Sequence, residues 1–397
     1  PEMRILYLSQ VLPYPLDAGP KMRSHYVLQY LSQRHDVTLL TFVRDSDRPE
    51  YITRMEEICH TVHTVPMRRS AVRDGRFLLK SVASGQPFLI VRDEVSAMTE
   101  KLRALLAEQS FDAVHADQLW MAQYALQAKE FSPDVRLILD QHNAVYLIPG
   151  RMADGETNPV KKMILARESK VMARYEAETC PKFDRVVWVT REDYDAVSAI
   201  ADAPLPSPTV IPICGDPTRV SPVEPKSGVK RVTFLGGLHW PPNAQGIVWF
   251  AKEVFPKIRA RVPDAVLTVI GKNPPAELTG SGVQVTGYVE DLSPLLAETQ
   301  AFVVPLHAGG GMRVKIIDAW GWGLPVVSTT IGAEGIAVEN GMDVLIADTA
   351  SDFAEAVIRL LKSPELRQSL AENGRRTVVQ KYNWRTIYTQ WDEVYRF

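Results

Sequence analysis

Short apolar runs rich in β-branched residues recur along the chain, separated by longer stretches with helical spacing. In the first half the runs fall at 3–9, 36–43, 111–117, 136–142, 184–190 and 208–213, with amphipathic stretches such as 96–109 and 160–178 between them. Strands that are apolar throughout and alternate with helices belong to a mostly parallel sheet covered on both faces. Residues 214–230 are rich in Pro, Gly, Ser and charge, lose the periodicity, and predict a linker. The alternation then restarts. Strands are expected at 231–237, 265–271, 283–289, 301–306, 324–329 and 343–348, and helices at 244–260, 291–299, 314–321, 351–362 and 364–381. A last, aromatic-rich amphipathic helix is expected at 383–397. The pattern predicts an α/β protein of two doubly wound units, residues 1–216 and 228–382. Such units bind ligands at the carboxyl ends of their strands, so a cleft between the two is the expected active site.

Composition adjusts this picture little. At 397 residues the chain is too long for one ordinary core. A net charge of −2 argues against a nucleic-acid partner. The three cysteines have no metal-ligand spacing, and the expected compartment is the reducing cytoplasm. No apolar run approaches the roughly 20 residues that span a bilayer, and PEMRILYLSQ reads as a first strand rather than a leader.

The strongest chemical signal is VVPLHAGGGMRVKIIDAWGWGLPVVST at 303–329. A strand ends, Gly309, Gly310 and Gly311 follow, and a helix opens near Arg313 or Val314. Glycines let backbone approach an anion closely, and the free N–H groups of a helix start point at it. Arg313 and Lys315 place two cations where the helix dipole disfavours them, an arrangement that makes sense around a diphosphate. Asp318, inside the helix, is a candidate acceptor for ribose hydroxyls. In the first half, Gly19 lies in a loop between strand and helix, with Lys21 and Arg23 beside it. His142 and Asn143 close the strand RLILDQH, and His115 lies near the end of FDAVHAD.

The run 309–336 resembles the donor-site signature of family-4 glycosyltransferases, nearest in look to members associated with exopolysaccharide and capsule assembly. Residues 234–258, LTVIGKNPP, VTGYVEDLSPLL, TVIPICGD and LDQHNAVY match the same family in order and type. The resemblance implies the GT-B fold, two Rossmann-like domains facing across a cleft. The first takes the acceptor and the second a nucleoside-diphosphate sugar (UDP- or GDP-linked), with the last helix packing back on the first. It implies retaining transfer to a hydroxyl of a sugar, lipid-linked or small-molecule acceptor; with no metal-binding cluster in the sequence, neither metal nor cofactor is expected. By resemblance the donor contacts are Gly19, Gly236, Gly237, Gly287, Tyr288, Val289, Gly309, Gly310, Gly311, Met312 and Asp318. His142, Arg313 and Lys315 are the catalytic candidates, and Lys21, Arg23, His115 and Asn143 lie on the acceptor side.

Two departures matter. The family's first acid falls on Gly310 and is absent, and its second is shortened to Asp318. The family's Arg and Lys after the first donor-domain strand are replaced by Leu238, His239 and Asn243, so Arg313 and Lys315 are expected to stand in for them. An epimerase of the same fold and a catalytically silent binder of nucleotide sugars are the rival readings. The stretch 66–80 carries five bases and one acid among apolar residues. Its two readings are a solvated helix face and a peripheral contact with the inner face of a membrane.

Overall fold

A computed structural model describes residues 2–397. Contacts divide the chain into two units: one runs to Cys214 and includes Trp384–Phe397, the other is Gly215–Asn383.

Unit one holds seven parallel strands: β1 (Arg4–Ser9), β2 (Asp36–Val43), β3 (Thr61–Pro66), β4 (Ala113–Asp117), β5 (Arg136–Gln141), β6 (Arg185–Trp188) and β7 (Thr209–Val210). Their order is β3-β2-β1-β4-β5-β6-β7. β1, β4 and β5 are buried almost end to end. That is why their sequences show no polar alternation. β3 escapes the sequence pattern because TVHTVP mixes polar and apolar positions, as suits a half-exposed edge strand. β7 stops short of the expected Ile213; Pro212 has no N–H to continue a ladder.

Unit two holds six parallel strands: β8 (Lys230–Leu235), β9 (Ala265–Ile270), β10 (Val283–Gly287), β11 (Thr299–Val304), β12 (Val326–Ser328) and β13 (Leu345–Ile346), in the order β10-β9-β8-β11-β12-β13. Both sheets are thus Rossmann-like, and each reverses its strand order once, between β1 and β4 and between β8 and β11.

Three expectations need correction. The helix expected over 244–260 is interrupted by a wide π-turn at Phe250–Val254. Pro256 lacks the amide that a regular α-turn needs there. The last segment is a chain of short turns, Trp384–Ile387, Tyr388–Gln390 and Trp391–Val394, rather than one helix. It buries Trp384, Tyr388 and Trp391 in unit one, with Trp384 stacked on Tyr26 at 5.5 Å. The stretch after Cys214 has no long element, but it is pinned to unit two. Val223 donates to the Trp322 carbonyl, Lys226 to that of Ala297, and Arg375 binds the Pro217 and Val220 carbonyls.

Candidate functional site

In unit two the chain leaves β11 at Val304 and re-enters helix at Val314–Gly321. Gly309 and Gly311 hold φ of 115° and 71°, which side chains disfavour, so the turn needs glycine there. A Cβ on Gly309 would also lie 2.6 Å from the Arg313 guanidinium. Arg313 caps the helix in an extended conformation and folds back to donate to the Gly310 carbonyl. Lys315 reaches the end of the neighbouring β8 instead: a Cβ on Gly236 would meet its Nζ at 3.1 Å. The buried Asn243 holds the Gly237 carbonyl at 2.9 Å. The turns after β8 and β11 therefore share one cation at the switch point of the sheet.

The charges there act on one another. Burial lowers the pKa of the Lys315 ammonium; Asp318 opposes this and Arg313 adds to it. Burial raises the Asp318 carboxyl to about 6, against the pull of Lys315. Two cations crowd the positive end of a helix whose first turn has no acid, a setting that favours an added anion.

Beside this, Tyr288 is 65% exposed, with the Lys272 ammonium 4.9 Å from its ring centre. It is therefore a surface ring rather than a core aromatic. Gly287 is less available than expected, because its carbonyl already accepts from the Gly271 amide. Val289 is half-buried. The Met312 side chain is buried, so what it offers a ligand is backbone.

In unit one the switch point holds a buried ionic network. Arg23 forks onto Asp140, Nε to Oδ2 at 3.0 Å and Nη2 to Oδ1 at 2.8 Å, and binds the Ile211 and Pro212 carbonyls. His142 Nε2 lies 2.9 Å from Asp117 and 3.7 Å from Asp140. Asp117 also accepts from Tyr7 at 3.1 Å and Ser24 at 2.6 Å. His115 stacks on Tyr7 at 4.2 Å, and its Nδ1 lies 2.7 Å from the Tyr395 hydroxyl. Burial disfavours every charge here, yet the pairings prevail. Arg23 is raised by Asp140, Asp140 is held well below the carboxylate range by Arg23 and the two histidines, and His142 is raised to about 9 by Asp117 and Asp140.

This network overturns two acceptor-side expectations. Arg23 and His115 are both wholly buried with their polar atoms turned to protein, so neither offers a surface to an acceptor. His142 is brought to the end of β5, but its side chain is 3% exposed rather than open. Lys21 is partly exposed and paired with Asp17 at 3.0 Å. Gly19 opens the helix Gly19–Ser32. Asn143 is half-buried, next to Ala144, whose amide is held by Asp193 at 2.9 Å. Asp117, Asp140 and Glu176 are not marked as functional by any motif in the sequence. Burial raises Glu176 to about 8, and it receives the Tyr146 amide and the Gln141 side chain beneath this loop. The available signal was an acid inside an apolar run, as in RLILD, since a buried acid demands a partner. His115, Asp117 and Asp140 also stand close enough together to hold a metal ion. Their carboxylates, however, are already compensated by Arg23 and His142.

Comparison with known proteins places these units. Residues 229–363 match the family model of glycosyl transferases group 1, and residues 18–214 that of the glycosyl transferase 4-like domain. A protein of the Klebsiella pneumoniae cps region is 24% identical, covering 97% of this chain and 98% of its own. A glycogen synthase of Mycobacterium tuberculosis is 22% identical over 99% of this chain and 94% of its own. Among solved structures, Anabaena Alr3699/HepE, determined in complex with UDP and glucose, superposes with a TM-score of 0.69. It shares 15% identity over 99% of each chain.

Proposed function

The chain belongs to the group 1 glycosyl transferases, and from that premise we propose how its residues divide the work of a retaining transfer. Unit two takes the nucleoside-diphosphate sugar, UDP- or GDP-linked. Unit one serves a hydroxyl acceptor, a sugar or a lipid-linked or small molecule in polysaccharide or glycoconjugate synthesis. The observation that supports this most is the placement of Lys315 and Arg313 around the two glycine turns of the unit-two switch point.

As the bond to the leaving group breaks, negative charge grows on the diphosphate. The Gly309–Gly311 amides, Arg313 and Lys315 are donors already in place for that charge, and fixed donors lower a barrier without reorganising. In this reading protein cations meet the leaving group, without a metal ion or cofactor. Asp318 takes the ribose hydroxyls, and the exposed Tyr288 ring with Lys272 takes the base. The acceptor hydroxyl approaches on the face the diphosphate leaves and passes its proton to the leaving phosphate, so the protein's task is positioning. His142 is assigned to the sugar. Its Nε2 is held by Asp117, while its Nδ1 has no hydrogen-bond partner among the described residues.

A thermal-shift panel of nucleoside diphosphates and their sugars, with and without EDTA, tests the donor assignment. One base should raise Tm in proportion to its affinity, equally in EDTA. A panel that moves nothing, or a shift abolished by EDTA, rejects it. NMR of the product's anomeric centre tests retention, and inversion would overturn that part. Donor epimerisation without acceptor would favour the rival enzyme.

A further inference from the structure

β1, β2 and β3 are neighbours in the sheet of unit one, and the carboxyl ends of such strands are where open α/β sheets hold ligands. Three polar side chains follow those ends. Gln10 comes directly after β1, Arg44 directly after β2, and Arg69 three residues beyond β3. They gather around Asp93, which is wholly buried. Gln10 and Arg69 both donate to its carboxylate, Arg69 at 2.8 Å. Arg44 donates to the Gln10 carbonyl at 2.9 Å. A fourth group, Arg92, stands with its Nε 3.9 Å from the same carboxylate, outside hydrogen-bond reach. That Nε is buried and has no hydrogen-bond partner among the described residues.

Three guanidinium groups therefore surround one sealed carboxylate. Burial lowers the pKa of Arg44 and of Arg92, and the charge of Arg69 adds to it. Asp93 opposes both shifts, joined by Asp47 at Arg44 and by Asp74 at Arg92. Asp47 is already engaged by the Arg44 amide, at 2.8 Å. The nearby switch point handles the same residue types differently. There Arg23 spends both prongs of its fork on Asp140 and is sealed from solvent. Here Arg69 spends one prong on Asp93 and Arg92 spends none. Their side chains remain 32% and 24% exposed, so the spare donors stay within reach of a ligand. A guanidinium presents paired donors whose spacing matches the two oxygens of a carboxylate or a phosphate.

We propose that Arg69, Arg92 and Arg44 recognise an oxyanion carried by the acceptor, the carboxylate or the phosphate of an acidic sugar. This rests on the reading of unit one as the acceptor unit and narrows its substrate from any hydroxyl compound to an anionic one. Asp93 and the Gln10 carbonyl hold Arg69 and Arg44 in place before the ligand arrives, which reduces the ordering cost of binding. Arg92 supplies the unused fork.

The test uses the full chain and three hexoses that differ at carbon six: glucose, glucuronate and glucose 6-phosphate. Binding is read by ligand-observed NMR titration at low ionic strength. One of the two anions should bind roughly ten-fold or more tightly than glucose, as for a charge-assisted hydrogen bond. Added salt should narrow the gap, and the anion that binds better identifies the group. Arg92→Gln should abolish the preference without changing Tm, and Arg92→Lys should keep part of it. Arg69→Gln should also abolish it, but it removes a partner of Asp93, so its Tm is read alongside; where it unfolds, Arg92→Gln decides. The Tm shift with nucleotide should be the same in Arg92→Gln as in the wild type, which separates this site from the donor assignment. Equal binding of the three hexoses, no binding of either anion, or a preference that survives in Arg92→Gln overturns the proposal. Displacement of the anionic hexose by a nucleoside diphosphate would give the cluster to the donor, and would overturn the acceptor reading of unit one with it.

Discussion

Both units reverse strand order at their centre, β1 beside β4 in one and β8 beside β11 in the other, yet the two reversal points are filled by different chemistry. In unit one the space is occupied by side chains of opposite charge: Arg23 on Asp140, His142 on Asp117, and aromatic rings of the C-terminal turns around them. In unit two it is occupied by backbone: Gly236, Gly237 and Gly309–Gly311, with Lys315 and Arg313 reaching over. The first arrangement pairs its charges side chain to side chain, and the second sets two basic side chains over glycine backbone at the start of a helix. The same topology therefore carries a buried ionic network in one unit and a glycine turn with two basic side chains in the other, through the choice of side chains at a few strand ends.

The largest test of this contrast is to remove one side of the unit-one pairing. Asp140→Ala strands a buried guanidinium and should cost roughly 3–5 kcal/mol of stability, read from urea unfolding. A cost below about 1 kcal/mol would mean that the network does not hold the unit together. Next is pH. His142 is raised to about 9 in the fold, against about 6.5 unfolded. Its contribution is complete below pH 6.5 and lost as pH rises through 9, a fall of order 1–3 kcal/mol. Glu176, raised to about 8, acts with the same sign from about 4.5 upward, since only the fold keeps it protonated there. His142→Gln should flatten the part of the curve between pH 8 and 9, measured as urea midpoints across pH. A wild-type profile already flat there would contradict the pairing.

On the unit-two side, Lys315→Ala should weaken nucleotide binding by roughly 10–100-fold, the range for a charged hydrogen bond, with little change in Tm. Arg313→Ala should do less, because its guanidinium is partly spent on the Gly310 carbonyl. Calorimetric titration decides, and unchanged affinity in both variants would end the anion-site reading. The smallest effect is expected from Tyr288→Ala. Stability should move by no more than about 0.5 kcal/mol, as for an exposed position. Nucleotide affinity should fall by roughly 2–10-fold if the ring stacks on the base.

Much of the fold was legible because its cause is local. A strand buried on both faces must be apolar throughout, so β1, β5, β8, β9 and β11 announce themselves. The turn 309–313 is legible for the same reason, since glycine and adjacent bases describe their own geometry. β3 was not, because an edge strand tolerates polar residues. The break at Phe250–Val254 and the segmented C-terminus were also missed, although Pro256 was in plain view. The ionic network was least legible. His142 could be placed at a strand end, but Arg23 looked like a surface base near a loop, and nothing near it in sequence says otherwise.

Its partner Asp140 is 117 residues away, and the Tyr395 hydroxyl that meets His115 is 280 away. Burial, protonation state and pairing depend on what folds against a residue, and that is decided by non-local packing. Local pattern was enough for the alternation of strands and helices, the two-unit organisation of α/β type and the glycine turn with its cations. Packing in three dimensions was needed to seal Arg23 inside, to let His142 hold its proton to about pH 9, and to turn the apolar arc of the helix Ala71–Ser84 to solvent. Each of these depends on the neighbours that packing removes or supplies, and a local pattern carries no record of them.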